Sequence, residues 1–167
     1  EPYRRQRQMC IRDSCYGDGL FYSKDRLKTL QPYISPVDNK ETFENDVVTT
    51  LVKGAYNCLY IGSLRGGAKE LNLTSNKLHD LLSVDENEEP VLCRNLLVAS
   101  DNELWIGAES GIYIYNLRMG KYVHLRSSIN DPYSLSDNAV YSLCKDREGG
   151  IWICLLYTSP SPRDRTR

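Results

Sequence analysis

The side chains best suited to proton transfer, nucleophilic attack or metal ligation are His79, His124, Cys15, Cys58, Cys93 and Cys144. Their spacing supports none of that chemistry. No Ser or Cys elbow accompanies either histidine, and the cysteines form no CxxC pair and stand near no pair of histidines. Cys93 and Cys144 read as small buried hydrophobes, and Cys58, beside a turn, as a more exposed thiol. The run Asp85-Glu86-Asn87-Glu88-Glu89 has carboxylates enough for calcium, but it lacks the glycine and spacing of a loop that wraps the ion. Gly17-Asp18-Gly19 opens a dinucleotide fingerprint without its third glycine or following helix. No catalytic residue, metal or cofactor is therefore expected. Binding chemistry remains: Arg65, Glu109, Asn130, Asp131 and Tyr133 have side chains that hydrogen-bond or stack on a small polar ligand. The competing reading is that Asn130, Asp131 and Ser134 cap turns.

Both ends of the chain distort its bulk composition. Met9-Cys10-Ile11-Arg12-Asp13-Ser14 back-translates to ATG TGT ATA AGA GAC AG, and Cys154-Leu155-Leu156-Tyr157-Thr158-Ser159 to TGT CTC TTA TAC ACA TCT, its reverse complement. That pairing resembles a transposase-type sequencing adaptor, so residues 1–14 and 154–167 are expected to be translated adaptor. The other reading is a basic arm and a Ser/Pro/Arg tail. Setting the ends aside leaves 14 Lys and Arg against 19 Asp and Glu, a net charge near −5 in place of −1. Nucleic acid is then an unsuitable partner. No apolar run is long enough for a membrane span. The absence of an initiator Met suggests an internal slice of a longer protein.

The elements that position these residues are legible as a repeat of about 45 residues. Segments 47–61, 92–106 and 139–153 superpose on the aromatic anchors Tyr60, Trp105 and Trp152. Three residues before each anchor stand Asn57, Asn102 and Gly149, types that tolerate the positive φ of a tight hairpin. In the clearest repeat a strand at 103–107 is followed by strands at 111–116 and 121–126. Four antiparallel strands in each period make a β-propeller blade. The chain is expected to be all-β, an open arc of about three blades, with blades at roughly 15–34, 46–82, 91–126 and 139–153. First strands should include 47–52, 92–98 and 139–145. The alternative of a helix over 69–82 conflicts with the turn formers Asn72, Thr74, Ser75 and Asn76. Trp105 should be well buried between blades and Trp152 only partly covered.

The stretch 130–153 carries a DP-SL-S turn (Asp131-Pro132, Ser134-Leu135-Ser136), then Asp146, Gly149 and Trp152 spaced as D-x-x-G-x-x-W. It resembles the two-component regulator propeller repeat, strongly over 91–153 and more weakly over 15–90. Tyr60 departs from the pattern's Trp, Gly54 and Ala99 from its Asp, and Leu64-Arg65-Gly66 adds a residue. The resemblance implies the periplasmic sensor region of a Bacteroidetes hybrid two-component histidine kinase. In that family, propellers and a β-sandwich lie outside the inner membrane and a kinase lies inside. It further implies a homodimeric parent, an oligosaccharide ligand and control of polysaccharide-utilisation genes, with no enzymatic activity in this segment. Two other functions stay open, a glycan-active propeller enzyme and a protein-interaction scaffold. The former needs paired carboxylates or clustered arginines on the propeller axis.

Overall fold

In the computed structural model of the chain, the residues described are 20–23, 31–33 and 46–156. Every regular element among them is a β-strand. β1 (Phe21–Tyr22) and β2 (Gln31–Pro32) pair in a two-stranded sheet. β3 (Val48–Lys53), β4 (Cys58–Ser63), β5 (Gly67–Asn72) and β6 (Lys77–Leu82) form a four-stranded sheet. β7 (Cys93–Ser100), β8 (Glu103–Ala108), β9 (Gly111–Asn116) and β10 (Lys121–Leu125) form another, and β11 (Val140–Lys145) pairs with β12 (Ile151–Leu155). All pairings are antiparallel between consecutive strands. The expected all-β partial propeller is what forms, and the three anticipated first strands are β3, β7 and β11. β12 ends at Leu155, two residues into the segment expected to be translated adaptor. Residues 1–14 and 157–167 lie outside the described residues, as does Gly17-Asp18-Gly19.

The stretch weighed as a helix is the β5–β6 hairpin, and its turn formers explain why. Asn72 Oδ1 accepts the amides of Thr74 and Ser75, both at 3.0 Å, and Asn76 takes a φ of 55°. A side chain that satisfies two backbone donors locally competes with the helical ladder and wins.

Strand alternation directs successive residues to opposite faces, so each second strand serves two neighbours. On β4, Ile61 joins Leu20, Tyr33 and Leu71 on the β1–β2 side, whereas Tyr60 joins Val91, Cys93 and Leu96 toward β7–β10. On β8, Leu104 and Ile106 face back into that second cluster, and Trp105 faces forward onto Val140 and Leu143. The core is thus a row of layers between sheets. Close approach of the sheets depends on Gly62 and Gly107. A Cβ at Gly62 would stand 2.6 Å from Cys93 Sγ, and one at Gly107 2.8 Å from a Val140 methyl.

Three expectations need correction. Trp105 is half-buried, not well buried, because only the two strands β11 and β12 cover it. Cys58 is buried and Cys144 exposed, the reverse of the sequence reading: Cys58 sits on β4 over Glu70, and Cys144 faces outward from β11. Asn102, unlike Asn57 (φ 60°) and Gly149 (φ 93°), does not adopt a positive φ. What Asn57 and Asn102 share is a backbone role. The carbonyl of each accepts the amide of the residue just after the third strand, Leu73 at 3.0 Å and Leu117 at 2.8 Å.

Candidate functional site

The hairpin joining first and second strands occurs in three chemical versions. In β11–β12, Asp146 Oδ1 accepts the amides of Glu148 (2.9 Å) and Gly150 (2.7 Å), and its Oδ2 accepts the Trp152 indole N–H at 2.8 Å. The Trp152 indole first, then the Gly150 amide, hold the Asp146 carboxyl below the usual carboxylate range. In β7–β8 the aspartate is Ala99, and the Trp105 indole instead donates to Glu103 at 2.6 Å. In β3–β4 it is Gly54, and the Tyr60 ring occupies the space a Cβ would need, 2.5 Å away. These are solutions to one problem, anchoring an aromatic beside a turn, and they offer no reactive group.

The opposite ends of the sheets collect the β4–β5 and β8–β9 turns and the β6–β7 and β10–β11 connections. The candidate ligand residues all lie there, on three successive stations. Arg65, in the β4–β5 turn, has its amide bound by Asp46 Oδ1 at 2.9 Å, and Asp46 Oδ2 takes the Gly66 amide. Glu109, in the β8–β9 turn, forms an ion pair with Arg94, whose Nε lies 3.1 Å from Oε1 and whose Nη2 donates to the same oxygen. Asn130, Asp131 and Tyr133 are exposed in the β10–β11 connection. Asp131 Oδ1 caps the Tyr133 amide (2.9 Å) and its carbonyl accepts Ser134 Oγ (2.7 Å). Tyr133 is 96% exposed, so nothing fixes its ring. Arg65, Glu109, Asn130, Asp131 and Tyr133 form no hydrogen bond or ion pair with one another across the three stations.

The acidic 85–89 connection is organised about Asp85, whose carboxylate is buried. Its Oδ1 accepts the amides of Asn87 (2.8 Å) and Glu89 (3.1 Å), and its Oδ2 meets Arg126 Nη2 at 3.3 Å. Burial pushes this carboxyl up, but those amides and then the guanidinium outweigh it and hold it below its ordinary value. Arg126 Nε also donates to His124 Nδ1 at 3.0 Å, while His124 Nε2 lies 3.0 Å from the Ser110 carbonyl. The His124 ring stacks on Tyr113 at 3.8 Å, and burial first, then Arg126, keep it below its ordinary pKa against the opposing pull of the Ser110 carbonyl. His124 is a packing and bridging ring, and His79 is exposed on β6. The two buried thiols are unreactive for the same physical reason. Burial raises Cys58 to about 11 and Cys93 to about 12, so neither forms a thiolate at neutral pH.

One cavity on this end, about 350 Å³, is lined by Arg94, Glu109, Ala139, Val140, Tyr141 and Leu156. Arg94 and Tyr141 escaped the sequence reading, which drew its candidates from loops, whereas both stand one residue inside a strand. A larger cavity of about 710 Å³ lies between β1–β2 and the β3–β6 sheet, walled mostly by Leu, Tyr and Pro. It separates two sheets and holds no convergent polar groups. Among the described residues no cluster of His, Cys, Asp and Glu could hold a metal ion, and no helix is long and apolar enough to cross a membrane.

The two-component regulator propeller family model matches residues 134–155, the stretch that carries the D-x-x-G-x-x-W spacing. The fold is similar to the extracellular domain of a hybrid two-component system from B. thetaiotaomicron, at 22% identity and a TM-score of 0.60, over 81% of this chain and 18% of that one. It is also similar to the extracellular domain of a second hybrid two-component system from the same organism, at 18% identity and a TM-score of 0.65, over 82% of this chain and 18% of that one. The chain therefore spans about a fifth of the length of these structures. No curated protein matches the chain.

Proposed function

We propose that this chain is part of the ligand-sensing propeller of a hybrid two-component sensor, acting in the periplasm and taking a glycan fragment as its ligand. The observation that carries the reading is the match of 134–155 to the regulator propeller repeat, set in a fold shared with extracellular domains of such systems. The chemistry of the face agrees with binding rather than turnover. Asp46, Asp85, Asp131 and Glu109 are each held by turn amides or an arginine, whereas glycoside hydrolysis needs two carboxyls facing across a bond, about 5–9.5 Å apart. The parent is a homodimer in which ligand energy biases one of two arrangements of an attached kinase, and the output is transcription of polysaccharide-utilisation genes.

The test is a glycan array probed with the whole chain, alongside analysis of the applied glycans for cleavage. The reading requires retention on one class of glycan with the glycans recovered intact. Cleavage products would make the protein an enzyme, and retention on no glycan would remove the sensor reading.

A further inference from the structure

The first strands β3, β7 and β11 each carry a β-bulge, and it falls at the same place in all three. The pairing register shifts between Val48 and Thr50, between Cys93 and Asn95, and between Val140 and Ser142. The bulged residues are therefore Thr49, Arg94 and Tyr141. A bulge leaves one residue out of the ladder and re-aims its side chain, and bulges recur beside binding sites for that reason. The residues just before them, Val48, Cys93 and Val140, are apolar in every repeat. The bulge column, by contrast, changes chemistry from blade to blade. A position whose backbone is constant and whose side chain varies can present a different group from each blade.

Each side chain in the column meets a different fate. Thr49 is consumed internally, its Oγ1 donating between the carbonyls of Gly62 (3.1 Å) and Cys93 (2.9 Å). Arg94 turns to Glu109, and the two side chains remain 41% and 42% exposed. Both guanidinium bonds converge on Oε1, which leaves Glu109 Oε2 and Arg94 Nη1 open to solvent groups. Tyr141 is 61% exposed and shares the 350 Å³ cavity with that ion pair, its wall completed by Leu156 from the segment expected to be translated adaptor. This volume is at the lower end of small-molecule pockets, about 300–1,000 Å³.

We infer that Tyr141, Arg94 and Glu109 form a subsite for one ring of a neutral saccharide, an inference that rests on the sensor reading and specifies its ligand. The Tyr141 ring offers an apolar platform with a polar rim, suited to the C–H face of a pyranose. Beside it, the ion pair presents one acceptor and one donor at fixed separation, which matches two neighbouring hydroxyls. Because Arg94 and Glu109 neutralise each other, the subsite has no excess charge to attract a uronate or sulfate group.

The test is calorimetric titration of the whole chain with maltohexaose, xylohexaose, mannohexaose and trigalacturonate. Wild type should bind one of the neutral hexasaccharides. Tyr141→Ala should weaken that binding at least about tenfold, and Glu109→Gln about fivefold. Tyr141→Phe, which keeps the ring, should stay within about threefold, and Met119→Ala, at the far end of the sheets, should change nothing. Far-ultraviolet circular dichroism checks that each variant is folded, and Tyr141→Phe bears on the ring should Tyr141→Ala misfold. If wild type binds a hexasaccharide and Tyr141→Ala binds it equally, the subsite is wrong while the sensor reading stands. Preferential binding of trigalacturonate overturns the neutral-ligand inference, and binding of none of the four saccharides overturns the subsite, whereas the sensor reading stands or falls with the glycan array.

Discussion

The interface between the β3–β6 and β7–β10 sheets differs from that between β7–β10 and β11–β12 above all in the number of strands on the forward side. Tyr60 faces four strands and is 5% exposed; Trp105 faces two and is half-buried; Trp152 faces no described sheet and is 68% exposed. The local motif runs the other way. The hairpin with the full Asp146, Gly149 and Trp152 set is the least covered, and the hairpins that have lost the aspartate are the best packed. The motif is thus a turn device, and burial is a property of the neighbouring sheet. Stability in a stack of repeats is a sum of unit and nearest-neighbour terms, and here the two are visibly separate.

The sharpest way to break this comparison is to cut the same kind of side chain from each interface. Ile106→Ala, in the layer between the two four-stranded sheets, should cost about 2–5 kcal/mol. Ile153→Ala, on the partly covered β12, should cost less than about 1 kcal/mol. Urea denaturation followed by far-ultraviolet circular dichroism measures both, and equal losses would contradict the layered account.

A smaller effect is expected at the glycines. Gly62→Ala must push Cys93 Sγ or Thr50 Cγ2 aside and should cost about 1–3 kcal/mol. Gly149→Ala meets nothing within 4 Å and carries only the strain of its φ of 93°, about 1 kcal/mol. The order of the two midpoints, Gly62→Ala below Gly149→Ala, is the check.

The smallest effect concerns the motif itself. Asp146 has a folded pKa below its ordinary value, so its contribution is complete above the unfolded pKa near 3.8 and is lost as pH falls through the folded one. Trp152 fluorescence should therefore change in acid below pH 3.8, and Asp146→Asn should abolish that step while leaving the emission of Trp105 as it was. A Trp152 step above pH 4 would reverse the sign of the argument.

The strands were legible in the sequence because their period, alternation and turn residues agree across three copies, and a consistent pattern at several levels specifies a fold. Coverage was legible at Trp152, expected to be only partly covered and 68% exposed, but not at Trp105, whose exposure depends on how many strands lie against it rather than on its own neighbours in the chain. Cys58 and Cys144 were misjudged for a related reason. Proximity to a turn says little about which face a strand residue occupies, and Cys58 faces the interior. Among the candidate site residues, Glu109 could be read from its loop. Its ion-pair partner Arg94, and Tyr141 on the wall of the same cavity, could not, because a bulge shows in the pairing register. The signal was nonetheless present: the column after Val48, Cys93 and Val140 is the one in which Thr, Arg and Tyr replace one another.

The measurement that addresses the layered account most directly is amide hydrogen exchange of the whole chain, read strand by strand. Protection reports the free energy of local opening. The account predicts the slowest exchange in β4, β8 and β9, which lie inside four-stranded sheets with buried layers against them. Among β3 to β12 it predicts the fastest exchange in β12, which pairs with β11 alone among the described residues and carries Trp152 outward. Protection of β12 equal to that of β8 would show that the Asp146–Trp152 hairpin is stable on its own terms, and the separation of motif from packing would be wrong.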